Sequence, residues 1–228
     1  MLKVLVACEE SQAVTKAFRE LGHEAYSCDI LPQSGGHPEW HLQGDVFNHI
    51  KEGWDIMVAH PPCTYLAVSG ASHMYNKDGS VNMDRKRNQD LALKFVQDLL
   101  DAPIDHIALE NPVSVISTKI RKPDQIIQPW MFGHKFSKAT CLWLKNLPKL
   151  NPTEIVDKGE FKEWIDKKTG KKKRQPMWFY DVFCKAKTAA ERRTLRSKTF
   201  PNIAKAMAEQ WSSAVIEYKN SQKDSNSL

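Results

Sequence analysis

Two residues stand where a stiff turn can hold a reactive group. Cys63 follows Pro61-Pro62 at the end of the apolar run Trp54–Ala59. Prolines fix the backbone of that turn, and a nucleophile gains most when it is held in place. A thiol needs no strong base, because its small thiolate fraction near neutral pH is already highly nucleophilic. The alternative for Cys63 is a small buried hydrophobe, the usual fate of a free cysteine. Glu110 ends the run Ile104–Leu109 and precedes Asn111-Pro112. Glutamate is rarely buried without a partner. A carboxyl group here is suited to hydrogen-bond a protonated ring nitrogen or to shuttle a proton, with a helix cap or surface ion pair as the alternative.

Asp29 follows the second apolar run, and Asp45 sits in a Gly44-Asp45 turn. In a parallel sheet, an acidic residue after the second strand typically meets a ribose hydroxyl. Asp45 is suited to meet an adenine amino group or simply to shape its turn. After the first strand, Ala7-Cys8-Glu9-Glu10-Ser11-Gln12 replaces a glycine-rich phosphate loop. Acidic side chains there argue against a pyrophosphate and are compatible with a cofactor bearing a sulfonium and an amine. The eight histidines show no ligand spacing, His37 and His41 included, so no metal is expected. Five dispersed cysteines without a CxxC pair suggest neither a disulfide framework nor a zinc knuckle, and a reducing compartment suits them.

These positions need a frame, and the hydrophobic pattern supplies one. Leu2–Ala7 is an apolar run of strand length, while Val14, Ala17, Phe18 and Leu21 recur at helical spacing and Gly22-His23 ends that helix. Ala25–Cys28, Trp54–Ala59, Ile104–Leu109 and Ala139–Leu144 read as strands, and Leu31–His41 as loop. Asn88–Leu100 has a broad apolar helical face, and Ile203, Met207, Trp211, Val215 and Tyr218 mark a closing helix. Strand–helix–strand alternation predicts an α/β fold with a doubly wound, mostly parallel sheet. Ligands bind such sheets beyond the carboxyl ends of the strands, where Asp29, Cys63 and Glu110 stand.

The chain has 228 residues, of which 41% are hydrophobic and 26% charged, a balance that excludes wholesale disorder. It has no apolar run long enough to span a membrane, and its first residues read as a strand rather than a signal peptide. Net charge is +6, but residues 151–198 alone carry +7. Three parts are therefore expected: a catalytic body over 1–150, a small basic insertion over 151–198, and a closing helix with a frayed tail over 199–228. The insertion reads as a hairpin with Thr169-Gly170 at its tip, facing a polyanion; a solvated basic loop is the alternative.

Asp55-Ile-Met-Val-Ala-His-Pro-Pro-Cys63, followed by Ile107-Ala-Leu-Glu110-Asn111-Pro112, resembles the cytosine-5 DNA methyltransferases, whose Pro-Cys and Glu-Asn motifs end successive strands in this order. Phe200–Gln210 resembles that family's last motif, and the chain as a whole looks like the short versions found in phages and prophages. The likeness covers most of residues 1–150 and 199–216. It implies a Rossmann-like methyltransferase, S-adenosylmethionine as cofactor and duplex DNA as partner. It implies that Cys63 attacks carbon 6 of cytosine, that Glu110 hydrogen-bonds ring nitrogen 3, and that carbon 5 takes the methyl group. Cofactor binding then falls to Cys8, Glu9, Ser11, Asp29, Asp45, Pro61 and Asn202. Substrate contacts fall to Asn111, Lys138 and Thr140, with Lys138 in place of the family's base-contacting arginine, and to Lys171, Lys172, Lys173 and Arg174 in the insertion. Trp178, Phe179 and Tyr180 become candidates for stacking on bases, whereas Trp143 reads as core. The insertion is short for a target-recognition domain, so low sequence specificity or a helper protein is expected.

Three other readings stay open. The same chemistry could serve a free pyrimidine nucleotide. His60-Pro61-Pro62-Cys63-Thr64-Tyr65 is half-way to the Asp/Asn-Pro-Pro-Tyr signature of amino-methyltransferases, although His60 accepts an amine hydrogen bond only when neutral and correctly turned. A non-catalytic DNA-binding protein is the third. A cytoplasmic location is expected, that of the bacterial host if the chain is phage-encoded, with no membrane partner.

Overall fold

Apolar runs too short to be helices pair into one sheet. In the computed structural model, which describes residues 1–188, 191, 195, 197 and 199–225, these strands are β1 (Lys3–Ala7), β2 (Glu24–Asp29), β3 (His41–Gln43), β4 (Ile56–Ala59), β5 (His106–Pro112), β6 (Gln125–Ile127) and β7 (Thr140–Lys145). They lie in the order β3-β2-β1-β4-β5-β7-β6. β1 to β5 are parallel, and β7 runs antiparallel to both β5 and β6. β4 is buried along its whole length and β1 along nearly all of it, as central strands covered on both faces must be.

The covering helices are α1 (Ala13–Glu20), α2 (Met83–Leu100), α3 (Ile116–Lys119) and α5 (Pro201–Ser225), with α4 (Met177–Lys185) outside the sheet. On one face, Val14, Phe18, Met207 and Trp211 pack with Val4, Val6, Ile56 and Val58. On the other, Val96, Leu99 and Ile116 pack with Leu5, Met57, Ile107 and Trp143. The sheet is thus doubly wound, as the alternation predicts. Trp143 is fully buried, and its Nε1–H donates to the Arg121 carbonyl at 2.8 Å. Gly22 closes α1 at φ +79°.

Several boundaries differ from the pattern for local reasons. α2 begins at Met83 rather than Asn88, because its first turns are polar and Asn82 Oδ1 caps the Arg85 N–H at 3.0 Å. β3 and β6 have three residues each, too few to show a period. β5 continues past Leu109. β4 stops opposite that residue, but β7 stays paired out to Thr140 opposite Pro112. Glu110 and Asn111 therefore lie on a strand that is paired on one side and open on the other. α5 runs to Ser225, through most of the tail expected to fray; residues 226–228 lie outside the described residues.

The basic segment forms a two-stranded antiparallel sheet, β8 (Phe161–Ile165) with β9 (Lys172–Pro176). Gly170 turns its tip at φ +66°, and Asp166 Oδ1 accepts from the Lys168 N–H and from the N–H and hydroxyl of Thr169. The segment docks on the loop between β6 and β7. Trp178 Nε1 donates to the Ser137 carbonyl at 2.9 Å, and a Cβ on Gly159 would lie 2.2 Å from the Lys135 carbonyl oxygen. Residues 189, 190, 192–194, 196 and 198 of the expected insertion lie outside the described residues. Among the described residues, no helix is long and apolar enough to cross a membrane.

Candidate functional site

β1 is where the strand order turns, with β2 and β3 on one side and β4 and β5 on the other. A crevice is expected beyond the strand ends at such a point. A cavity of about 350 Å³ opens there, bordered by Cys8, Asp29, Asp45 and Pro62, with Val46 and Phe95 in its apolar wall. Asp29 Oδ1 accepts from the Leu31 N–H at 2.9 Å, and Asp45 Oδ1 from the Phe47 N–H at 3.0 Å. The second oxygen of each carboxylate accepts no hydrogen bond among the described residues. Burial, then the charge of Asp29, pushes the Cys8 thiol well above its ordinary range. The same two causes push Cys28 up to about 12. These shifts favour the neutral thiol at both cysteines.

The acidic replacement for a glycine loop has a structural role. Glu9, expected among the cofactor contacts, is 3% exposed and is committed instead to α1. Its Oε1 accepts from the Val14 N–H at 2.6 Å, and its Oε2 accepts from the N–H and hydroxyl of Thr15 at 3.2 and 2.7 Å. A helix N-terminus is where a phosphate would bind, and the chain fills that place with its own carboxylate. The donor set thus suits a neutral or cationic nucleoside better than a pyrophosphate, which is a fit to S-adenosylmethionine. Ser11 does not border the cavity. Asn202 binds the loop before β7, its Nδ2 donating to the Phe132 carbonyl at 2.8 Å and its N–H to His134 Nε2 at 3.3 Å. Pro61 is buried, and its carbonyl accepts from Asn111 Nδ2 at 2.9 Å.

Cys63 is exposed, on a loop that folds back so that its carbonyl accepts from Leu66 and Ala67 N–H groups at 3.0 and 2.9 Å. α2 holds this loop from the side. Arg85 donates to the Thr64 carbonyl at 2.7 Å and lies 4.7 Å over the Tyr65 ring, while Gln89 donates to the Tyr65 carbonyl at 3.1 Å. The same edge of the sheet carries Glu110. Val58 pairs with Ala108, so two residues further on His60 faces Glu110, with Nδ1 and Oε2 3.1 Å apart. Burial pushes Glu110 up, but the His60 hydrogen bond and charge, helped by Lys138, bring it below the ordinary carboxylate range. Burial pushes His60 down, but Glu110, with Glu9, brings it above the ordinary imidazole value. The pair favours the imidazolium–carboxylate form. His60 Nε2 and Asn111 Oδ1 are buried and make no hydrogen bond among the described residues.

Lys138, before β7, acts through its charge on both members of this pair, and its Nζ stands 5.7 Å over the Phe200 ring. Thr140 is buried opposite Pro112. In the hairpin, Lys172 pairs with Glu163 at 2.6 Å, Lys173 pairs with Asp166, and Arg174 lies 5.0 Å over the Phe161 ring. Lys171 is exposed at the tip beside Lys167 and Lys168, and the ammonium groups of all three make no hydrogen bond or ion pair among the described residues. Of the aromatic run, Trp178 is a docking residue, and Lys162 lies 3.9 Å over the Tyr180 ring. Arg85 is an addition to the residues expected from sequence, whereas His60 figures there in the His60-Pro61-Pro62-Cys63-Thr64-Tyr65 stretch and Lys167 and Lys168 in the basic segment. Among the described residues, no group of three His, Cys, Asp or Glu side chains could hold a metal.

No protein-family model and no curated protein matches the sequence. Among solved structures, the chain is similar to a protein described as a DNA modification methyltransferase encoded within an E. coli prophage. Identity is 13% and the TM-score 0.43, covering 69% of this chain and 52% of that one. It is also similar to the S. pombe Dnmt2 methyltransferase, with 15% identity and a TM-score of 0.40, covering 65% and 50%. The chain spans about half the length of these structures.

Proposed function

We propose that the protein transfers a methyl group from S-adenosylmethionine to carbon 5 of cytosine in DNA through a covalent adduct on Cys63. The observation that carries this is the neighbourhood of an exposed Cys63 and a His60-held Glu110 at the edge of adjacent parallel strands, next to a cavity bordered by Asp29 and Asp45. S-adenosylmethionine, when bound, supplies an electrophilic methyl group. Asp29 and Asp45 would hold it, each with one oxygen left over from the local backbone. Cys63 Sγ forms the bond to carbon 6 of the ring, which moves the C5=C6 pair toward carbon 5; once carbon 5 carries the methyl group its proton leaves to solvent, C5=C6 re-forms and the C6–S pair returns to sulfur. Glu110 meets ring nitrogen 3 through a shared proton, and the charge that develops in the ring passes to the carboxylate as that proton moves to nitrogen. Arg85 and Gln89 keep the Cys63 turn from straying, so that the thiol meets the ring at a fixed approach.

In duplex DNA the cytosine must leave the stack, at a cost of a few kcal/mol. Lys167, Lys168 and Lys171 at the hairpin tip are cations without an ion pair among the described residues, suited to offset it through phosphate contacts. The pairing of Lys172 and Lys173 inside the hairpin favours a second substrate class, a free pyrimidine nucleotide, which needs no such contacts. The test is transfer of labelled methyl from S-adenosylmethionine to unmethylated duplex DNA, with free deoxycytidine nucleotide and Cys63→Ser protein alongside. Label recovered as 5-methylcytosine in DNA, and lost with Cys63→Ser, is the expected result. Label in the nucleotide alone replaces the substrate. Label that survives Cys63→Ser removes the covalent adduct.

A further inference from the structure

The chemistry above leaves His60 without work. Its side chain is 12% exposed, with Nδ1 on Glu110 Oε2 and Nε2 buried without a partner among the described residues. A carboxyl group that shares one oxygen with an imidazole keeps one proton in that bond, whichever atom holds it. The other oxygen, Glu110 Oε1, is then only an acceptor. Among the described residues nothing donates to it. Cytosine presents a lone pair at ring nitrogen 3, whereas uracil presents an N–H there. Two acceptors facing each other repel; an N–H facing Oε1 does not.

On the footing of the pyrimidine chemistry proposed above, we propose that His60 is a positioning residue for Glu110, and that cytosine enters the site with uptake of a proton whereas uracil enters without it. The proton comes from solvent and bridges Oε1 and ring nitrogen 3. When the Cys63 thiolate bonds to carbon 6, the C5=C6 electron pair moves toward carbon 5 and into the ring. The bridging proton then completes its bond to nitrogen 3 and leaves its former bonding pair on Oε1. The resulting carboxylate is held by the His60 Nδ1–H. In reverse, the C6–S pair returns to sulfur, C5=C6 reforms, and the proton returns to Oε1. The charged groups that act on His60 are Glu110 on β5, Glu9 after β1 and Lys138 before β7; the two carboxylates favour the imidazolium and the lysine opposes it.

The experiment is calorimetric titration of the full chain with single-stranded oligonucleotides carrying one cytosine or one uracil, in two buffers of different ionisation enthalpy. A single strand removes the flipping cost. Above neutral pH, about one proton is taken up with cytosine and close to none with uracil, and cytosine affinity falls about tenfold per pH unit while uracil affinity stays flat. In Glu110→Gln, the amide donates directly to nitrogen 3 and uptake disappears. In His60→Asn, the amide still donates to Oε2 but the cation is gone. Burial then protonates Glu110 in advance, and uptake near neutral pH disappears although binding persists. A merely structural His60 would leave the proton count unchanged. Equal counts for the two bases, or an unchanged count in His60→Asn, overturns the proposal. If neither strand binds, the pyrimidine site itself fails and the uptake with it. The pairing is read separately by NMR titration of His60 in the free protein, whose pKa must fall in Glu110→Gln; an unmoved pKa overturns the pairing.

Discussion

A carboxylate inside a protein is as stable as what it touches, and Glu110 touches His60. The two shifts oppose each other in pH, and their signs define a window. His60 lies above its ordinary value of 6.5, so its contribution is full below that value and is lost as pH rises through the raised one. Glu110 lies below its ordinary 4.5, so its contribution is full above that value and is lost as pH falls through the depressed one. Stability contributed by the pair is therefore greatest between the two and declines on both sides. His60→Leu leaves Glu110 buried without its cation, so that burial holds the carboxyl protonated near neutral pH, at a cost of about 3 kcal/mol. Because Glu110 then takes up a proton, that loss shrinks as pH falls toward 4.5. Chemical denaturation of wild type and His60→Leu at several pH values measures the difference. A gap that stays constant with pH would mean that only packing is lost.

The Cys63 turn is held by an element rather than by its own chain. Arg85 reaches from α2 to the Thr64 carbonyl and covers Tyr65, so Arg85→Ala frees the turn while leaving the cavity carboxylates in place. A loosened nucleophile lowers kcat by about a hundredfold with little change in the KM for S-adenosylmethionine. Arg85→Lys recovers only part of it, since a point charge cannot both donate to a carbonyl and cover a ring as a planar guanidinium does. Steady-state kinetics separate these outcomes; a rise in KM alone would place Arg85 in cofactor binding instead. None of this was visible along the chain, because Arg85 lies in a polar first turn that carries no period. What was visible follows the same logic. β1, β2, β4 and α1 announce themselves through local apolar spacing, and Asp29, Cys63 and Glu110 through their position after an apolar run. The His60–Glu110 contact depends on the register between two parallel strands fifty residues apart in the chain, which no local pattern encodes. The passage of β5 through Glu110 depends on a strand that comes later and runs the other way. Glu9 was legible as an acidic residue in a phosphate-loop position, but not as the group that closes α1, since that requires its side chain to fold forward onto Val14 and Thr15.

At the scale of the whole molecule, the hairpin over residues 161–176 carries seven basic and two acidic residues, and part of that charge is paired internally. Lys172 and Lys173 face Glu163 and Asp166, and the Lys173 and Thr169 contacts hold the Asp166 carboxyl far below the usual range. Cations already neutralised by a neighbour release few counterions from DNA; unpaired ones release them fully. Lys167, Lys168 and Lys171 should therefore weigh more on the salt dependence of DNA binding than Lys172 and Lys173. Replacing all three with Ala is expected to flatten the slope of log affinity against log salt by about 0.9 for each phosphate that is no longer neutralised. Lys172→Ala should change it much less. The converse substitution is sharper. Glu163→Gln unpairs Lys172 without adding a cation, so DNA affinity at low salt should rise and the slope steepen. Binding measured across a salt series for the three proteins tests this directly. If the substrate is a free nucleotide, the tip lysines have no phosphate track to meet. The triple variant and Glu163→Gln would then turn over substrate as wild type does at every salt concentration, and the basic hairpin would be a solvated surface.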